Sequence, residues 1–183
     1  MIAYIVCEGT ADAQLLKVVL PEELLNNVEV VSAGGISATK SLARSLLVRR
    51  QVPIAIVVDA DSVKPDLVQE RRQSIKGIVE SIAGNVPVKV ILAIPEMEII
   101  FFQDNSLLTR LLGYNLPNDI IALASLQPRQ ALEQLISQSK IIRNQLDIIN
   151  LLSKEDARIL RNSPVIQELI QFLQSVCKTV DVS

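Results

Sequence analysis

The run Ile54-Ala55-Ile56-Val57-Val58-Asp59-Ala60-Asp61-Ser62 constrains the fold more than any other stretch of the chain. Apolar residues from Ile54 to Val58, rich in β-branched side chains and without a polar interruption, describe a strand buried on both faces. Such strands belong to parallel sheets covered by helices on each side, because a one-sided sheet alternates apolar with polar residues. Two carboxylates follow at once, spaced i, i+2. They stand at or just past the carboxyl end of the strand, the edge where open α/β sheets bind ligands. If extended geometry continues to Asp61, both side chains project on one side of the chain. Like charges that close disfavour ionisation unless a cation or a proton intervenes.

The flanking pattern fits the same architecture. Ile2–Cys7 is a short apolar strand that ends at Glu8-Gly9-Thr10. Ala11, Leu15, Leu16 and Val19 follow at helical spacing, with Thr10 as the expected N-cap and Pro21 ending or restarting the helix. Val28–Ala33 is a second strand, stopped by Gly34-Gly35. Ser37 is the expected cap of a helix whose apolar face carries Ala38, Leu42, Ala43, Leu46 and Leu47. Pro65–Ala83 is amphipathic, with Ile75, Ile78, Val79 and Ile82 inward, and Val86–Ile94 is a fourth strand. Four strands alternating with three helices indicate a parallel three-layer α/β sandwich. Right-handed crossovers place all strand carboxyl ends on one edge. For the Glu8 and Asp59 turns to meet there, strands one and three must be neighbours, which gives the order 2-1-3-4. Beyond Pro95 the period becomes helical: one helix over Met97–Leu112, then helix almost throughout from Pro128 to Val176. The chain thus reads as an α/β domain over residues 1–95 and a helical extension over 96–183 packed on it.

Composition removes several chemistries. The chain has no histidine, so Ser-His-Asp and Cys-His catalysis, His-ligated zinc and His-based proton transfer are all unavailable within it. Cys7 and Cys177 are too far apart in sequence for a metal spacing, and Cys7 sits in an apolar strand as a buried thiol. With a net charge of −2 and a pI near 5.3, there is no bulk electrostatic case for nucleic-acid binding. The basic doublets Arg49-Arg50 and Arg71-Arg72 read as solvated helix ends. No basic segment leads into a signal-peptide core, and no apolar run approaches the roughly 18–20 residues that span a bilayer. A reducing, cytoplasmic setting is the expectation.

Three loop sites converge on the predicted edge: Glu8 with Asp12 one helical turn later, Gly34-Gly35, and Asp59 with Asp61. Carboxylates without His or Cys form a hard-oxygen set suited to Mg²⁺ or Mn²⁺. Such ions activate water and steady a phosphoryl transition state. Gly9, Gly34 and Gly35 permit close backbone approach of a phosphate. Each part also has an ordinary role. Asp12 and strand-end carboxylates serve helix starts, and Gly-Gly makes turns.

Taken jointly, Ile5-Val6-Cys7-Glu8-Gly9-Thr10-Ala11-Asp12, Val30-Val31-Ser32-Ala33-Gly34-Gly35 and Val57-Val58-Asp59-Ala60-Asp61-Ser62 resemble a Toprim domain over residues 1 to about 95. That domain occurs in topoisomerases, bacterial primases, the overcoming-lysogenization-defect (OLD) nucleases and small stand-alone proteins. The resemblance implies Mg²⁺ (or Mn²⁺) held by Glu8, Asp59 and Asp61 for phosphodiester chemistry. Neither Tyr4 nor Tyr114 lies in a recognisable nucleophile module, and the segments that accompany Toprim in primases are not seen. The OLD-like nuclease branch fits better, since there a second acid follows the Glu-Gly turn four residues on, a position Asp12 fills. A further carboxylate after strand four matches Glu98, preferred over Glu96, in Pro95-Glu96-Met97-Glu98. A late lysine of those nucleases has its candidate in Lys154, within a Ser-x-x-Asp pattern that also reads as a helix start. The expected function is metal-dependent cleavage of nucleic acid, with a separate ATPase as a conceivable partner. The alternative is a non-catalytic Toprim-like module that binds nucleic acid or a partner protein. A phospho-acceptor receiver domain fits less well, because it needs an acidic pair after strand one.

Overall fold

The computed structural model describes residues 3–180, so Ile2, assigned above to the first strand, lies outside it. The elements run β1 (Ala3–Cys7), α1 (Thr10–Val19), α2 (Glu22–Leu25), β2 (Val28–Ser32), α3 (Ile36–Arg50), β3 (Ile54–Asp59), α4 (Pro65–Ala83) and β4 (Val88–Ala93). A 3₁₀ turn over Met97–Gln103 follows, then α5 (Asn105–Leu112), α6 (Asn118–Ala124), α7 (Pro128–Gln138), α8 (Gln145–Leu151), α9 (Lys154–Leu160) and α10 (Pro164–Val180). The four strands form one sheet in the order β2-β1-β3-β4, and every pairing is parallel. This is the expected 2-1-3-4 arrangement.

The two central strands β1 and β3 are buried along their whole length, which is why they carry uninterrupted apolar runs. One face of the sheet, through Val6, Ile56, Val58 and Leu92, packs on Ala43 and Leu47 of α3 and Ile75 and Val79 of α4. The other face, through Ile5, Cys7, Val57 and Ile91, packs on Leu15 and Leu16 of α1. That core continues without a break into Phe101, Leu108, Leu132, Ile148, Leu160 and Leu169. The result is three layers, with the later helices supplying most of one outer layer.

Several boundaries differ from the sequence expectation, each for a local reason. The N-cap of α1 is Gly9 rather than Thr10, because the Asp12 carboxylate reaches back to accept the Gly9 N–H at 2.9 Å. The N-cap of α3 is Gly35 rather than Ser37. Thr39, fully buried, takes the inward place expected of Ala38, and its hydroxyl donates to the Gly35 carbonyl at 2.9 Å. Met97–Leu112 is not one helix. Asp104 is extended, and its side chain accepts from the Ser106 N–H at 2.8 Å, so it ends the 3₁₀ turn and caps α5. The consecutive apolar residues Ile99 to Phe102 carry no helical period that would have shown the break.

Candidate functional site at the carboxyl edge of the sheet

The register brings the site together. Cys7, the last residue of β1, lies opposite Val57 of β3, so Glu8, which follows it, comes beside the end of β3, whose last residue is Asp59. Glu8 Oε1 accepts the Asp59 N–H at 3.3 Å. Asp12 stands in the first turn of α1, beside the same turn. Asp59 is only 8% exposed, and its Oδ1 accepts the Met97 N–H at 2.8 Å, which ties it to the 3₁₀ turn after β4. That turn carries Glu98, 4% exposed. The turns after β1, β3 and β4 therefore deliver carboxylates to one place.

Burial sets their electrostatics. The Asp59 carboxyl is pushed up to about 7, first by burial and next by the negative charge of Glu98; Arg129 opposes and Asp12 adds. Glu8 rises from its ordinary value through burial, with Asp61 and Asp12 adding to the rise and the Asp59 N–H and Arg71 opposing it. Asp12 rises through burial against its Gly9 bond and Arg129. Glu98 rises through burial, with Arg129 opposing and Asp12 adding. Burial is the first cause in all four, and repulsion by a neighbouring carboxylate adds to it in Glu8, Asp59 and Glu98. Beside them, burial pushes the Cys7 thiol up to about 12, so it is an inert core group.

Two arginines that sequence reasoning did not assign to the site hold these charges. Arg129, in the first turn of α7, donates its backbone N–H to Glu96 Oε2 at 3.0 Å. Its guanidinium bonds Asp59, reaches Glu98 Oε1 from Nε at 3.1 Å and lies 3.6 Å from Glu96. Burial works against its charge, but Glu98 and Asp59 hold it more firmly protonated than an ordinary arginine. A signal for it did exist. Pro128 marks a helix start, and a cation in a first turn opposes the helix dipole unless acids answer it. Arg71, within α4, donates to Asp61 Oδ2 at 2.9 Å and lies 3.9 Å from Glu8. Arg72 donates to the Val90 carbonyl at 2.7 Å. The doublet Arg71-Arg72 is thus not a solvated helix end, whereas Arg49-Arg50 does close α3 and is exposed.

Asp61 departs from the sequence expectation. Its backbone is left-handed, with φ 56, so extended geometry stops before it and period two no longer applies. Asp59 is held from the α7 side and Asp61 from the α4 side, where its carboxylate is 55% exposed. Gly34 and Gly35, at φ 91 and 121, both direct their N–H groups to the Glu8 carbonyl, at 2.8 and 3.2 Å. They lock the turn after β2 to the turn after β1, and those amides, like that of Gly9, are engaged by the protein rather than turned toward a phosphate. Lys154 opens α9 behind the cap Ser153. It lines a groove with Lys17, Glu22, Glu23 and Arg158, toward the end of α1 opposite Asp12, and is not gathered with the carboxylates.

The donor set suits a hard divalent cation. All donors are carboxylate oxygens, and Glu98 Oε2 is buried without a hydrogen-bond partner. Among the described residues no group of three or more Asp, Glu or Cys side chains is placed to hold a metal ion. In this state Arg129 and Arg71 supply the compensating charge.

No protein-family model and no curated protein matches the chain. Among solved structures it is similar to the C-terminal region of the OLD protein of Xanthomonas campestris pv. campestris, with 16% identity and a TM-score of 0.54. The match covers 98% of this chain and 97% of that one. At that identity the likeness is one of fold: a parallel 2-1-3-4 sheet with helices on both faces and a helical C-terminal part, consistent with a Toprim-like fold. Among the described residues no helix is long and apolar enough to cross a membrane.

Proposed function

We propose that the chain is a nuclease-like Toprim module that cleaves phosphodiester bonds of nucleic acid with Mg²⁺ or Mn²⁺. The observation that carries this reading is the convergence of the turns after β1, β3 and β4, where Glu8 accepts the Asp59 N–H at 3.3 Å and Asp59 and Glu98 share the Arg129 guanidinium. Glu8, Asp12, Asp59 and Glu98 would hold the metal, with Asp61 at the exposed rim. When bound, a divalent ion supplies Lewis acidity, an activated water and charge neutralisation at the phosphoryl group. The chain's own residues contribute the rest. The Gly34-Gly35 bonds fix the Glu8 turn, the Asp59–Met97 bond fixes the turn after β4, and Arg129 keeps the acids together until a cation takes its place. The fold likeness to a region of an OLD protein supports nucleic acid as the substrate class and a separate ATPase as a partner.

The test is plasmid cleavage with Mg²⁺ or Mn²⁺, comparing the wild-type protein with Asp59→Ala. We expect nicking by the former and none by the latter; cleavage that persists unchanged in Asp59→Ala removes the mechanism. A second reading, a non-catalytic module binding nucleic acid or a partner protein, is favoured by one feature. Arg129 answers Asp59, Glu96 and Glu98 at once, and such a network is self-sufficient without metal. Binding of Mn²⁺, followed by electron paramagnetic resonance, separates the two: the second reading expects none.

A further inference from the structure

Next to the carboxylates lies a cavity of about 440 Å³, bounded by Glu98, Arg129, Leu132, Ile136, Arg143 and Gln145 among others. Its size is that of small-ligand sites, roughly 300–1,000 Å³. Helix α7 gives it an aliphatic wall through Leu132 and Ile136. The start of α8 and the residue before its cap give it a polar one through Gln145 and Arg143. Three observations bear on what this cavity could hold.

First, the Arg143 guanidinium has no partner among the described residues, its one bond being a backbone N–H donated to Asp147 at 2.8 Å. Second, the side chains of Ser137, Asn144 and Gln145 line the cavity alongside Leu132 and Ile136, so its wall is polar and apolar at once. Third, Arg129 belongs both to the cavity and to Asp59, so whatever enters is adjacent to the carboxylate centre. Water would solvate the exposed Arg143 and the polar side chains, but an aliphatic wall beside them suits a ligand with both a polar and an apolar part.

We propose that the cavity binds one nucleoside phosphate unit of a nucleic-acid strand. The phosphate engages Arg143 and Arg129, the base edge meets the Gln145 amide, and the sugar and base lie against Leu132 and Ile136. This assignment rests on the nuclease reading and adds the form of the substrate. A nucleotide inside a cavity has left its stack, which is costly from within a duplex and much less so from a single strand or a frayed end. Single strands and ends are therefore the preferred substrates. No aromatic ring lines the cavity, so stacking, the usual source of base-blind affinity, is absent, and binding of a lone unit is weak.

The test titrates thymidine 5′-monophosphate, inorganic phosphate and a phosphorothioate oligothymidylate into the wild-type protein, Arg143→Gln and Ile136→Trp by calorimetry. We expect the mononucleotide to bind more tightly than inorganic phosphate. Arg143→Gln should weaken the mononucleotide and the oligomer by about tenfold, the worth of one charge-assisted hydrogen bond, and Ile136→Trp should weaken both by filling the space that the sugar and base would occupy. Arg143 is exposed, so its variant folds even if the tryptophan is not accommodated. Inorganic phosphate binding as tightly as the mononucleotide overturns the proposal, as does an oligomer indifferent to Arg143→Gln. Mn²⁺ binding on the same samples keeps the two ideas apart. Lost nucleotide binding with Mn²⁺ retained reports on the cavity alone. A wild-type protein that binds the mononucleotide but no Mn²⁺ counts against the nuclease reading and leaves the cavity assignment in place.

Discussion

Asp59 is the residue at which burial, repulsion and pairing meet. Its carboxyl is pushed from an ordinary 3.8 up to about 7 despite its guanidinium partner, because taking a carboxylate out of water and facing it with Glu98 outweighs one ion pair. The folded chain thus holds this proton more tightly than the unfolded chain does. A raised acid stabilises the fold fully below its unfolded value and loses that contribution as pH rises through its folded value. For Asp59 the window runs from 3.8 to about 7, and Glu8, Asp12 and Glu98 shift in the same direction. We therefore predict that, without divalent ions, the urea midpoint rises as pH falls from about 8 to about 5, and that the rise is shallower in Asp59→Asn. Equal slopes in the two proteins would show that Asp59 does not carry the effect. Adding Mg²⁺ should raise the midpoint most at the alkaline end, where the carboxylates are ionised and a cation replaces the missing proton.

At the scale of elements, β1 and β3 were readable because burial on both faces prints as an unbroken apolar run, and because Glu8 and Asp59 directly follow those runs. The same logic fails where geometry rather than burial decides. Asp61 adopts a left-handed backbone without being glycine, so nothing in the residue type announced that it would part from Asp59. Arg129 lies 70 positions from the carboxylate it answers, and only the packing of α7 on the 3₁₀ turn brings them together. Glycine shows the difference between pattern and geometry most directly. Gly35 sits at φ 121, a region essentially closed to other residues, with its N–H on Glu8 and its carbonyl taken by Thr39. Gly77 sits exposed within α4 with open space where a Cβ would go. Gly35→Ala should destabilise by about 1–3 kcal/mol, and Gly77→Ala should stabilise by roughly 0.5–1 kcal/mol through a stiffer unfolded chain and better helix propensity. Urea midpoints measure both, and matching signs would refute the assignment of strain to the turn after β2.

The whole molecule poses the question of how many folding units the chain contains. One apolar core runs from Ala3 and Ile5 of β1 through Phe101, Leu132 and Leu160 to Leu169 and Leu173 of α10. Polar ties follow the same route. Arg161 Nε donates to the Val19 carbonyl at the end of α1, and Glu168 of α10 meets Lys89 of β4 at 3.1 Å and Arg72 of α4 at 3.7 Å. Those Glu168 pairs are partly exposed and contribute little, so the buried apolar surface must hold the later helices in place. Without residues 96–183, the face carrying Ile5, Cys7, Val57, Ile91 and Ala93 keeps only α1 and the short α2 as cover, and Asp59 loses Met97, Glu98 and Arg129. The sheet and its helical cover then form one cooperative unit, and the site is completed only when both are folded. We predict that a fragment of residues 1–95 shows no cooperative thermal transition. In the intact chain, Leu169→Ala, at a fully buried position, should cost roughly 2–5 kcal/mol while unfolding stays a single transition in circular dichroism and in tyrosine fluorescence alike. A fragment that melts cooperatively by itself would make the helical part a removable layer, and the Arg129 contacts to Asp59 and Glu98 a docking contact between two independent units.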